Sequence, residues 1–321
     1  MSERVLVTGH LGCIGAWVAK LLLADGDHVV GFDLGTHDHR LRLIMGPDEL
    51  SAIEQIRGDI TDTEAVQNAT AGVDRIIHLA ALQVPFCAAD PAGGARVNVV
   101  GTVNVFEAAR HQHIDRITWA SSVAVHGTAD LYDTEILPVD AQRDPGTFYG
   151  VYKQANEGTA RVYDTDHGIA SVGILPHTIY GPGRDQGLTS QPTTAVLAAA
   201  LGRPYRVDYA SKMGFQYAPD VARSFIAASR VEAPGARICP LGGDIVTVQT
   251  FLDAVNQAVG EELGTCADDR LPFPAGTDDG ALRDLLDGQV PHTPLADAIG
   301  ATIAVFRQAA AEGQTLPDLP G

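Results

Sequence analysis

Five residues, Tyr149-Gly150-Val151-Tyr152-Lys153, set a phenol and an ammonium four positions apart, which on a helix is about one turn apart on one face. A free phenol titrates near pH ~10, too high for an effective base at neutrality. A fixed cation beside it favours the phenolate, so Lys153 is expected to lower the Tyr149 pKa and let the phenol exchange a proton with a substrate alcohol. The competing reading is a surface tyrosine beside a surface lysine. Against it stands the scarcity of lysine: only Lys20, Lys153 and Lys212 occur among 22 lysines and arginines. With eight tyrosines such a pair can still arise by chance, so the elements around it must decide.

Those elements begin with Val5-Leu6-Val7-Thr8, a β-branched run that reads as a buried parallel strand. It runs straight into Gly9-His10-Leu11-Gly12-Cys13-Ile14-Gly15 and then a helix from Ala16 to Ala24. Strand, glycine turn and helix together suit a dinucleotide pyrophosphate: Gly9, Gly12 and Gly15 let the backbone come close, and the helix N-terminus favours negative charge. A second strand, His28 to Asp33, ends in a carboxylate that can accept from both ribose hydroxyls and repel a 2'-phosphate, which favours NAD over NADP. Arg40 and Arg42 follow closely enough to complicate that preference. Ile53–Arg57 is expected to be the third strand, with Asp62 or Thr61 capping the next helix. Arg75–Ala81 reads as the fourth, with His78 a packed strand histidine, and small residues at its end leave ligand room. One long helix is expected from about Pro91 to His113. Asn98 inside it needs a partner for its amide, either local backbone or a cofactor-bound water. Ile117–Ala120 is the fifth strand, ending at Ser121-Ser122 where a nicotinamide would lie.

The chain has 321 residues, 45% of them hydrophobic and 19% charged, enough for one large α/β domain or a nucleotide-binding domain with a smaller lobe. A net charge of -18 argues against nucleic acid or an anionic membrane as partner, because such a surface repels phosphates. No apolar run is long enough to cross a bilayer, and no secretory leader precedes Val5, so the expected location is cytoplasmic. Cys13, Cys87, Cys239 and Cys266 are scattered, which points to reduced thiols and no metal site.

In order, Gly9-x-x-Gly12-x-x-Gly15, Asp33, Asp59-Ile60, His78-Leu79-Ala80-Ala81, Asn98-x-x-Gly101-Thr102, Ser121-Ser122, Tyr149-x-x-x-Lys153 and Tyr180-Gly181-Pro182-Gly183 resemble the extended branch of the short-chain dehydrogenase/reductases, the NAD-dependent epimerase/dehydratase type. The likeness covers about residues 4 to 230. It implies a doubly wound parallel Rossmann-type α/β sheet with a smaller C-terminal substrate lobe. Residues 1–175 would bind the dinucleotide, 214–242 would return to that domain, and most of 176–321 would form the lobe. It also implies Tyr149 as acid/base, Lys153 as the cation that tunes it and holds the nicotinamide ribose, and Ser122, ahead of Ser121, as the donor orienting the substrate oxygen. By the same likeness Cys13 and Ile14 meet the pyrophosphate, and Asp59 and Ile60 flank the adenine. Leu79, Ala80, Ala81 and Gln83 line the cofactor, Asn98 supports it, and Pro176 and His177 reach it. Ser122, His126, Thr178 and Arg184 become the substrate candidates, and a homodimer through the helices bearing Asn98 and Tyr149 is expected.

Departures from the pattern narrow the substrate. Nucleotide-sugar members commonly carry an arginine diphosphate clamp where this chain has Met213, and an asparagine where it has Thr178. A methionine cannot pair with phosphate. Arg184, Arg203 and Arg206 remain to hold a carboxylate or phosphate. No carboxylate follows Ser122, which disfavours dehydration. The expected activity is hydride transfer at a secondary alcohol or ketone of a free sugar, sugar acid, lactone or glycoside, with dehydrogenase ahead of epimerase. A nucleotide-sugar 4-epimerase with another clamp and a non-catalytic NAD(H) sensor are the alternatives. Ala267–Pro274 and Gly276–Gly280 read as exposed acidic loops.

Overall fold

The computed structural model describes residues 2–319. Its main sheet has seven parallel strands: β1 (Arg4–Thr8), β2 (His28–Asp33), β3 (Glu54–Arg57), β4 (Arg75–His78), β5 (Arg116–Ala120), β6 (Ala170–Leu175) and β7 (Ala236–Pro240). They lie in the order β7-β6-β5-β4-β1-β2-β3. The order reverses between β1 and β4, and in such sheets the ligand crevice opens beyond the strand ends at that reversal. β1 is short and β-branched because both of its faces are covered, and Val5, Leu6 and Val7 are fully buried. On one face, helices Cys13–Ala24 and Ala218–Arg230 pack with β1 and β6 around Trp17, Phe225 and Leu22. On the other, helices Gly101–Gln112 and Phe148–His167 cover Phe32, Trp119 and Phe106.

A third apolar cluster, built on Tyr180, Phe215 and Phe251, ties a three-stranded sheet (Thr178–Tyr180, Lys212–Tyr217, Asp244–Thr247) to helices Gln191–Ala200, Val248–Val259 and Leu295–Ala311. The rings of Phe215 and Phe251 stack at 4.6 Å. This cluster stands beyond the strand ends and brings its loops over the crevice.

Two expectations about elements need correction. The segment Pro91 to His113 is not one continuous α-helix: residues Arg96–Val100 form a π turn between helices Pro91–Ala95 and Gly101–Gln112. The wider turn leaves the Asn98 carbonyl free to accept from Thr102 Oγ1 at 2.7 Å and from Asn156 Nδ2 at 3.0 Å. The stretch after Ala267 is not simply an exposed loop either. Gly276–Thr277 pairs in parallel with Ile136–Leu137, and both residues are buried. His78 is the packed strand residue expected, buried between the hydroxyls of Thr8 (2.7 Å) and Thr102 (3.1 Å), with its pKa lowered to about 3 by burial and the Lys153 charge. No helix among the described residues is long and apolar enough to cross a membrane, and none of their side chains cluster as metal ligands.

Candidate active site

A cavity of about 830 Å³ opens at the reversal point, and its first wall is the glycine turn. Gly9 holds φ +74°, and a Cβ there would lie 2.7 Å from Ala80 N. A Cβ on Gly15 would collide with the Gly9 carbonyl, so only glycines permit this close stacking of turn, helix and β4. Helix Cys13–Ala24 starts without a side-chain cap at Gly12, which leaves its first N–H groups to serve a ligand. Cys13 and Ile14 line the cavity there. Asp33 lines it at the end of β2 while accepting from Leu11 N (3.1 Å) and Gly35 N (2.9 Å). Asp59 and Ile60 lie beside it, Asp59 holding Thr61 through its amide and hydroxyl, both at 2.9 Å. Leu79, Ala80, Ala81 and Gln83 continue the wall beyond β4. An uncapped helix start, backbone that tolerates no Cβ and a carboxylate at the β2 end together fit a dinucleotide.

The opposite wall carries Ser122, Tyr149 and Lys153. Helix Phe148–His167 begins at Thr147, whose hydroxyl accepts from Gly150 N at 3.1 Å. Gly150 abuts the Ala124 carbonyl with no space for a side chain, and this contact sets Tyr149 against the turn that carries Ser122. One turn on, Lys153 is buried and donates from Nζ to the Ala120 carbonyl at 2.8 Å; its ammonium lies 5.7 Å from the Tyr149 ring centre. Ser121 is taken elsewhere: its hydroxyl donates to Glu157 at 2.8 Å, and Glu157 is also held by Arg143. Of the two serines, Ser122 is therefore the one beside the phenol. Phenol, hydroxyl and ammonium in one place are the groups that proton exchange with an alcohol requires.

The pKa directions differ from the expectation at Tyr149. Burial raises its pKa, with Ser122 and the Arg184 charge pulling the other way. Burial also lowers Lys153 to about 8, so the ammonium itself resists this environment. The expectation that the Lys153 cation lowers the Tyr149 pKa leaves out the desolvation of both groups.

His126, Pro176, His177, Thr178 and Arg184 complete the wall. Burial and Arg143 lower His126 to about 4. His177 Nε2 lies 2.8 Å from the Pro274 carbonyl, which can only accept, so Nε2 carries the proton and Nδ1 faces the Thr178 hydroxyl at 3.0 Å. Asn98, expected at the cofactor, does not line the cavity. Its amide is spent on Leu82, accepting from N and donating to O at 3.1 Å each, so it holds the wall segment from behind. Met213 is also turned away, buried against Thr178 with Sδ 3.3 Å from its hydroxyl. Arg203 and Arg206 are exposed and line nothing here; only Arg184 of the three does.

Several lining residues carry no sequence signal. Leu271, Pro272 and Phe273 form part of the roof, pinned by Leu271 N to Ser211 Oγ (2.7 Å) and by Ala129 N to the Pro272 carbonyl (2.9 Å). His39 and Arg40 reach the cavity from the segment after β2 and grip Asp185 at 2.7 and 2.6 Å. Arg42 instead pairs with Asp38 at the surface.

Comparison with known proteins finds relatives for the chain as a whole. A model described as the NAD dependent epimerase/dehydratase family matches residues 5–238. A UDP-glucose 4-epimerase of Mycolicibacterium smegmatis is 30% identical over 95% of this chain and 98% of its own. An L-arabinose 1-dehydrogenase (NAD(P)+) of Haloferax volcanii is 32% identical over 52% of this chain and 63% of its own. Among solved structures, the Thermus thermophilus UDP-glucose 4-epimerase complex with NAD superposes with a TM-score of 0.79 at 26% identity, covering 95% of this chain and 99% of that one.

Proposed function

The chain belongs to the NAD-dependent epimerase/dehydratase family and is an NAD-dependent oxidoreductase of the extended short-chain dehydrogenase/reductase type; within that class we propose a dehydrogenase acting on a secondary alcohol of a small carbohydrate-like substrate. The observation that carries this reading is the grouping of Ser122, Tyr149 and Lys153 on one wall, facing a dinucleotide cradle, with no basic side chain at Met213. Ser122 donates to the substrate oxygen, Tyr149 takes the hydroxyl proton on oxidation and returns it on reduction, and Lys153 stabilises the phenolate. The glycine turn and Asp33 would hold NAD, which when bound would supply the hydride acceptor. A nucleotide-sugar 4-epimerase is the second reading, favoured by the full-length similarity to the M. smegmatis enzyme.

Anaerobic incubation with NAD and a panel of free sugars, sugar acids, lactones and glycosides, followed by NADH absorbance, is the test. Net NADH with one of them is expected. Interconversion of UDP-glucose and UDP-galactose without net NADH would replace the dehydrogenase by the epimerase.

Cofactor choice follows from Asp33. Of the two arginines that follow β2, Arg40 is committed to Asp185 and the Leu11 carbonyl and Arg42 to Asp38; Arg57, beside Asp33 on β3, does not line the cavity. Asp33→Ala is expected to weaken NAD binding about 10- to 100-fold, the size of one lost hydrogen bond to a charged group, and to narrow the gap to NADP. Dissociation constants for both dinucleotides check this; an unchanged ratio would place the selectivity elsewhere.

A further inference from the structure

Resting on the proposed reaction, we infer that the substrate is a sugar acid whose carboxylate is held by Arg184. The loop Gly181–Gly187 leaves the strand Thr178–Tyr180 and crosses to the dinucleotide side, where it is fastened on both flanks of Arg184. The Pro182 carbonyl accepts from Trp17 Nε1 at 2.9 Å, and Asp185 is gripped by Arg40 and His39. Gly183, at φ +91°, permits the reversal between the two anchors. Adjacent residues thus have opposite situations: the Asp185 carboxylate is paired with Arg40 and hydrogen-bonded to His39, whereas the Arg184 guanidinium lines the cavity with no carboxylate partner among the described residues. Its Nε is buried without a hydrogen-bond partner, and its only side-chain hydrogen bond among the described residues is a long one, Nη2 to Thr189 Oγ1 at 3.4 Å. The charge is close enough to be felt at the Tyr149 phenol.

Every carboxylate that lines the cavity is engaged elsewhere: Asp33 and Asp59 hold backbone at the glycine-turn side, and Asp185 is paired. Of the lining lysine and arginine side chains, Lys153 and Arg184 are the two without a carboxylate partner among the described residues, although the chain as a whole is at -18. A half-buried guanidinium whose Nε lacks a partner gains a hydrogen bond when an anion arrives. One planar fork matches one carboxylate. A diphosphate would want more donors, and Met213, Arg203 and Arg206 supply none in the cavity.

The test titrates uronates and aldonates, the matching neutral sugars and the matching sugar phosphates into protein saturated with NADH. Acid is expected to bind at least tenfold tighter than its neutral partner. Arg184→Gln should remove about 10- to 100-fold of acid affinity and leave the neutral sugar and NADH unchanged, while Arg184→Lys, charged but without the fork, falls between. Equal binding of acid and neutral sugar, tighter binding of the phosphate, or a loss confined to NADH in Arg184→Gln would each overturn the assignment, the last by giving Arg184 to the cofactor pyrophosphate. Binding keeps this separate from the reaction. Acid-selective binding without NADH formation leaves the anion site and sinks the dehydrogenase; turnover of neutral sugars as fast as acids does the reverse.

Discussion

Tyr149→Phe is expected to lower kcat by about 10²- to 10⁴-fold, the usual contribution of a positioned acid/base, while the NAD dissociation constant changes less than about threefold. The substitution removes one oxygen and keeps the ring. The ring's packing against Lys153, 5.7 Å from centre to ammonium, survives, as does the close seat of Gly150 on the Ala124 carbonyl that sets the helix start. Only the proton route is lost. Because burial raises the Tyr149 pKa, the phenol form dominates at neutral pH. Alcohol oxidation by the wild type should therefore accelerate with rising pH, while ketone reduction, which needs the phenol, should not. A Tyr149→Phe enzyme with more than about a tenth of wild-type turnover, measured as NADH formation with the best substrate, would remove the phenol from the mechanism.

Lys153→Met is expected to have two opposite effects. Turnover falls, since the phenolate loses the buried ammonium one turn away. Stability at pH 7, however, rises. The Lys153 pKa drops from 10.5 to about 8 on folding, so between those values the unfolded chain binds more protons than the folded one and stability increases with pH. Below about pH 8 the folded protein bears the whole penalty of a charged, buried ammonium, roughly 3 kcal/mol. Methionine avoids that penalty but leaves the Ala120 carbonyl without its 2.8 Å donor, a loss of about 1 kcal/mol. A net gain on the order of 2 kcal/mol is expected, shrinking toward pH ~10.5, where the wild-type lysine folds neutral at no penalty. Denaturant midpoints at pH 7 and 10 read it directly. Equal loss of stability at both values would mean that the packing of the lysine stem outweighs the desolvation of its head.

Much of this site is legible in the sequence. The glycine turn, the Asp33 carboxylate and the Tyr149–Lys153 pair are local patterns, in which spacing along one strand, turn or helix already dictates which side chains share a face. The cradle around Gly9 and Gly15 and the joint presence of Ser122, Tyr149 and Lys153 on one wall follow from such patterns placed at the ends of parallel strands. What was not legible came from contacts between distant segments. The π turn at Arg96–Val100 has no compositional mark; it is stabilised where Asn156, more than fifty residues on, reaches the freed Asn98 carbonyl. Leu271-Pro272-Phe273 reads as loop because its anchors, Ser211 and Ala129, lie far away in sequence. The direction of the Tyr149 pKa has the same origin: a charged neighbour is visible in the sequence, but desolvation depends on everything packed around the group.

By itself, then, the sequence determined the class of chemistry, because hydride transfer with proton exchange needs a dinucleotide cradle and an acid/base pair whose members are short-range motifs. Only the tertiary structure decided what meets that pair. The sequence offers Arg184, Arg203 and Arg206 to hold an anion and names Arg184 alone among the substrate candidates; folding leaves Arg203 and Arg206 exposed and fastens the loop on either side of Arg184, which lines the cavity without a carboxylate partner among the described residues. Which cation is spent on the protein and which is left for a ligand depends on long-range partners such as Arg40 and Asp185, 145 residues apart, and no local pattern encodes that pairing.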